Sequence, residues 1–286
     1  LEDGMSILLH YRYALMYALC VSFVAVYRQF LMVDISPICI LSVSSFISIV
    51  YFHTVNLNRI KLIYQKIWSE KLLFLNLNLV VGTMWIAAFF SIYYSSAAMY
   101  TYEFFIVGGA IAFLFHPMKN HTKLVLLMGH ILLVGLPFIF FYEERLGIFL
   151  GLITGCLGFI YNHLSAELCK KLNLSASQIL ASRFWFLFFV STAWFQHLPH
   201  PELNTTQWMN VVVLALLSFV LQIWLNQQSI LTVGAKRSTY ICGLVPFITF
   251  MLQGMMLHQW ILSIFLLSVF GGMHILLGLL MQKKVS

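Results

Sequence analysis

Long apolar runs separated by short polar connections make up nearly the whole chain. A helix needs about 20 apolar residues to cross a bilayer. Ten runs meet or approach that length, at approximately 13–31, 37–55, 72–92, 96–115, 122–141, 146–169, 177–196, 208–231, 237–257 and 260–281. Apolar residues cover all sides of each run instead of alternating, so the pattern predicts helices and excludes the strands of a membrane β-barrel. The longest connections, near 56–71 and 197–207, are too short for a soluble domain. Residues 1–4, LEDG, look like a cloning remnant ahead of a natural start at Met5, and residues 5–286 are expected to form a single transmembrane domain. The run after Arg12 is read as the first span, because no small-residue cleavage site follows it.

Composition agrees: 61% of residues are hydrophobic and 9% charged, against roughly one-quarter charged in soluble domains. Basic residues near helix ends are retained on the cytoplasmic side. Placing the N-terminus inside puts thirteen of them in the cytoplasm, including Arg59, Lys61, Lys66, Lys170, Lys171 and Lys283, and leaves Arg28 and Arg145 outside. The expected location is the cytoplasmic (inner) membrane, with both termini cytoplasmic. The net charge of +7 follows from this topology and gives no argument for a nucleic-acid partner.

Catalytic and metal chemistry find little footing. Cys20, Cys39, Cys156, Cys169 and Cys242 lie in or at the ends of apolar runs without metal-like pairing. His197 and His200 have a ligand-like spacing, but no further His, Cys or acidic cluster completes a site. There is no HExxH, P-loop or nucleophile elbow. Neither an enzyme nor a bound cofactor is expected.

Internal echoes are more informative. Ala97, Thr101, Tyr102, Val107 and Gly108 spell A-x3-T-Y-x4-V-G, and Ala235, Thr239, Tyr240, Val245 and Pro246 spell A-x3-T-Y-x4-V-P 138 positions later. DISPICIL at 34–41 echoes NLSASQIL at 173–180, while GHILLVG at 129–135 and GMHILLG at 272–278 close their halves. The echoes predict two five-helix repeats, at about 11–141 and 146–281. Because five is odd, the second copy enters the membrane with opposite polarity, and such inverted repeats are the geometry of alternating access around a central site.

Ten spans as five plus five, the A-x3-T-Y-x4-V-P segment and the closing glycines Gly272 and Gly278 resemble the drug/metabolite transporter superfamily, EamA type. The chain departs from that pattern in having His116-Pro117 and His258-Gln259 where a glutamate often follows the fourth and ninth helices. The resemblance implies an all-α membrane protein of ten transmembrane helices, with helices 3, 4, 6, 8 and 9 lining a central cavity.

Candidate cavity residues follow from polar groups in apolar runs. Glu103 lies in the fourth run and Arg183 in the seventh; a charged side chain at the bilayer centre costs about 2.5–3.5 kcal/mol on insertion scales and persists mainly where it meets a cavity or a partner. At about 1.5 Å per residue the two are about 10 Å apart along the membrane normal, which argues against a direct ion pair. Ser218, Gln222, Asn226 and Ser229 share one helical face, as do Thr154, Gly158, Asn162 and Ser165, and Asn78, Gly82, Trp85 and Phe89. Tyr102 and Tyr240, equivalent by the repeat, are expected to be paired gate residues, and Trp85, Trp224 and Tyr102 can offer ring faces to a cation. The alternative for each polar stripe is interhelical hydrogen bonding, and for Arg183 snorkelling to the headgroups.

The expected function is a secondary transporter of a small polar metabolite, chiefly an exporter of amino acids or similar compounds as the resemblance implies, with Glu103 receiving an ammonium group or a coupling proton. Two alternatives stand beside it. One is an importer or exchanger of a nucleotide-type or adenosylmethionine-like solute, which a cavity with two or three basic residues would favour. The other is a membrane-embedded enzyme or a non-transporting subunit.

Overall fold

In the computed structural model the described residues are 2–114, 120–198, 202–234, 237–238 and 241–282. Tyr240, Ala235 and Thr239 of the second repeat motif, and His200, lie outside them. The described residues form helices without a strand: α1 (Glu2–Leu31), α2 (Pro37–Val55), α3 (Ile60–Ser69), α4 (Lys71–Tyr94), α5 (Ala97–Leu114), α6 (Asn120–Phe140), α7 (Arg145–Leu172), α8 (Ala176–Leu180), α9 (Trp185–Gln196), α10 (Thr205–Ala215), a π-helical segment (Leu216–Gln222), α11 (Ile223–Val233), α12 (Val245–Leu257) and α13 (Leu262–Gln282). Among the described residues six segments are long and apolar enough to cross a membrane: Tyr11–Leu31, Pro37–Val55, Lys71–Tyr94, Tyr142–Leu172, Ala176–Gln196 and Thr205–Val233. Four shorter apolar helices, Ala97–Ile111, Leu124–Phe140, Cys242–Leu257 and Leu262–Ile275, accompany them. This is an all-α, multi-pass membrane protein.

Local chemistry sets the ends. Pro37 opens α2, where its missing N–H costs nothing. Asn204 caps α10 by accepting from the Gln207 N–H at 2.9 Å, and Gln207 reaches back to the Asn204 N–H. The left-handed Asn173 (φ 49) terminates α7, and Lys66 Nζ donates to the α7 carbonyl of Leu172 at 3.0 Å, a cation at the negative end of the helix.

Close helix contact comes from one face of α7. Gly147, Gly151, Gly155 and Gly158 meet α4 and α5 so tightly that a Cβ at Gly155 would lie 2.8 Å from the Phe104 carbonyl oxygen, and one at Gly158 2.6 Å from the Phe104 ring. Small residues are what allow helices to approach this closely in lipid. Across the same seam the Ser91 hydroxyl on α4 donates to Gly147 O at 2.7 Å.

The seventh apolar run, expected as one helix, is interrupted. Residues 181–184 leave helical geometry between α8 and α9. No Pro or Gly breaks it; instead side chains of other helices take up the freed carbonyls. The Tyr64 hydroxyl on α3 donates to Ala181 O at 3.4 Å, and Asn78 Nδ2 on α4 donates to Ser182 O at 3.2 Å. Tyr64 is itself fixed, accepting from Trp185 Nε1 at 2.6 Å.

Candidate functional site

Two arginines lie at the heart of the bundle, Arg28 at 0% and Arg183 at 1% exposure. Arg28 stands in the last turn of α1, facing inward rather than marking an outer loop as its sequence position suggested. Its Nη2 donates to Ser218 Oγ at 3.1 Å and to Gln222 Oε1 at 3.0 Å. Both acceptors belong to the π-helical segment, a geometry frequent at functional sites. That segment's own carbonyls are met from outside: Ser48 Oγ donates to Phe219 O at 2.8 Å. The Arg28 guanidinium lies 4.7 Å from the Trp85 ring centre and 5.0 Å from that of Phe89, a cation–π arrangement, and Tyr100 stands beside it.

Arg183 is presented by the interruption between α8 and α9. Its Nη1 donates to the Tyr161 hydroxyl, which donates to Gln227 Oε1 at 3.1 Å; Ser165 Oγ donates to the same oxygen at 2.7 Å. This relay across α7 and α11 locks the guanidinium inward, so Arg183 does not snorkel. Among the described residues Arg183 Nε is buried without a hydrogen-bond partner, and the Tyr100 hydroxyl is the polar group against the remaining Arg28 nitrogens. No carboxylate pairs with either arginine among the described residues, where the ion pair is the peripheral Lys171–Glu70 contact at 2.8 Å.

Between the arginines' neighbours lies a cavity of about 50 Å³. Tyr17 of α1, Trp85 of α4, Tyr100 and Phe104 of α5, Tyr161 and Asn162 of α7, Arg183, Gln222 and Asn226 line it, with Cys242 at its edge. Asn226 Nδ2 donates weakly to Asn162 Oδ1 at 3.4 Å. A water needs about 10–15 Å³ on this scale, so the space admits only a few small groups. Arg28 stands behind the wall made by Trp85, Tyr100 and Gln222.

Of the sequence candidates, Trp85, Asn162, Arg183, Gln222 and Asn226 meet at this cavity. Glu103, Tyr102 and Trp224 do not line it. Glu103 faces α7, its Cβ close over Gly151, with the Ser91 hydroxyl nearby. Tyr102 turns to α6, donating to Leu133 O at 2.9 Å. Trp224 packs edge-on against Tyr13, ring centres 5.8 Å apart. The face of Trp85 expected to receive a cationic cargo is occupied by Arg28. Sequence reasoning missed Arg28, Tyr17, Tyr100, Tyr161 and Gln227. The signal for Arg28 was present in the Ser218–Gln222 stripe, which called for a buried donor.

A solved structure described as "Crystal structure of protein" shares the fold, with a TM-score of 0.58 and 15% sequence identity, covering 94% of this chain and 99% of that one. At that identity the likeness is one of fold alone. No protein-family model matches the chain, and no curated protein matches it.

Proposed function

We propose that the protein is a secondary transporter of the drug/metabolite type, with ten spans in two inverted five-helix halves, both termini cytoplasmic, and a small anionic metabolite as its cargo. The observation that carries this reading is the pair of buried arginines, Arg183 on the cavity wall and Arg28 behind it, neither paired with a carboxylate among the described residues, in a cavity whose described lining has no Asp or Glu. Each buried cation costs a few kcal/mol. A carboxylate or phosphate arriving as cargo offsets that cost through charge-assisted, bidentate hydrogen bonds, which guanidinium geometry suits. The small cavity supports the same reading, because a metabolite enters only when the walls move, as alternating access requires.

Amino-acid export has weaker support. Arg183 can receive an α-carboxylate, but Glu103, the group expected to hold the ammonium, faces the α5–α7 seam.

Counterflow in proteoliposomes across a panel of carboxylates, phosphate esters, and neutral and basic amino acids tests the proposal. Carboxylates or phosphate esters are expected to accumulate, and Arg183→Gln to abolish that accumulation. Transport confined to basic amino acids, or indifferent to Arg183→Gln, overturns it.

A further inference from the structure

The carboxyl group of Glu103 is fully buried, and neither of its oxygens has a hydrogen-bond partner. It sits in the seam of α5 against α7, where a Cβ on Gly151 would lie 2.9 Å from Glu103 Cβ. The nearby Ser91 hydroxyl is committed to Gly147 O. Tyr102 is the titratable neighbour that interacts with Glu103, and its hydroxyl points to Leu133 on α6. From α7 the group is faced by Gly151 and from α4 by Ser91, while Arg28 of α1 and Tyr161 of α7 make their contacts on the cavity side, to Gln222 and to Arg183. A carboxylate so placed is removed from bulk solvent and meets no countercharge among the described residues, so the seam as it stands favours the neutral acid.

The same two helices form the cargo wall on their other faces. On α5, Tyr100, Phe104 and Gly108 line the cavity one turn apart, while on α7 Gly155, Gly158 and Tyr161 do so. Phe104 packs directly on Gly158, and its carbonyl oxygen on Gly155. Any parting of α5 from α7 that brings water to Glu103 therefore reshapes the cavity.

We infer that Glu103 is a proton-binding site distinct from the cargo site, and that the α5–α7 seam closes only when this carboxyl holds a proton. On opening, the carboxylic O–H gives its proton to water entering the seam and leaves a hydrated carboxylate. Reclosure takes a proton back from whichever side the seam then faces. The coupling of that proton to cargo rests on the transport reading above; the proton site does not.

The test uses the reconstituted full chain without cargo. Infrared spectra are expected to show a carboxylic-acid C=O band at neutral pH that is absent from Glu103→Gln. As alkaline pH bleaches that band in the wild type, protection of the α5 and α7 backbone amides, taken relative to their intrinsic exchange rate at each pH, should fall several-fold, whereas in Glu103→Gln, a neutral mimic of the protonated side chain, protection should stay flat across the same range. Gly151→Ala supplies a second variant: its methyl group wedges the seam at Glu103, and the band should bleach at lower pH than in the wild type. Absence of the band at neutral pH, bleaching without any change in α5 and α7 protection, or an unshifted titration in Gly151→Ala each overturns the inference. Because no cargo is involved, its failure is separate from failure of the uptake screen.

Discussion

The Tyr102 hydroxyl donates to the Leu133 carbonyl at 2.9 Å, and Leu133 lies one turn before Pro137, inside α6. Proline has no N–H to offer the carbonyl four residues back. Tyr102 supplies from α5 the donor that α6 cannot supply itself, so its hydroxyl is engaged at a proline site.

Tyr102→Phe accordingly leaves a part-buried carbonyl without its donor. It is expected to destabilise the protein by about 1–3 kcal/mol with cargo affinity unchanged. Thermal unfolding in detergent, paired with a binding assay, checks both halves; a stable variant with altered affinity would restore the gating role.

Arg183 holds Tyr161 while facing the cavity, a double duty that suits a planar fork and not a point charge. Arg183→Lys should therefore fail to rescue Arg183→Gln, with cargo affinity lowered on the order of 10-fold or more, the scale of a hydrogen bond to a charged group. Isothermal titration with the solute found by the uptake screen measures this. Full affinity in the lysine variant would mean that charge alone suffices.

Arg28 separates function from stability. Arg28→Met lifts the cost of burying a charge without a carboxylate partner, but it leaves the buried acceptors Ser218 Oγ and Gln222 Oε1 without their donor, a loss of about 1–3 kcal/mol. The two effects oppose, so Arg28→Met is expected to unfold near the wild-type temperature and to lose anion uptake. Marked destabilisation would identify Arg28 as a structural tie for the π-helical segment.

Gly155→Ala brings a methyl group to 2.8 Å from the Phe104 carbonyl oxygen, a backbone atom that cannot rotate away. The strain is expected to cost about 1–3 kcal/mol and to appear as a lowered melting temperature. Gly135→Ala, where a Cβ would meet nothing within 4 Å, is the control.

Much of the bundle was legible because apolar runs and short connections leave a chain few options in lipid. Of the polar stripes, Gln222, Asn226 and Asn162 face the cavity in the structure. What could not be read was which side of an all-apolar helix faces inward. On α5 the cavity side is that of Tyr100, Phe104 and Gly108, and Glu103 belongs to the neighbouring seam. Arg28 was hidden by a rule suited to exposed helix ends, which treats such a cation as a topology marker. The interruption at 181–184 has no local signature, since it depends on Tyr64 and Asn78 from distant segments.

That interruption makes the seventh run two short levers meeting at a joint. The joint's carbonyls are secured by side chains of α3 and α4 rather than by the helix itself. The residue riding on the joint is Arg183, so the place of a buried positive charge in α8–α9 is set by hydroxyl and amide groups that arrive from α3 and α4, far away in the chain.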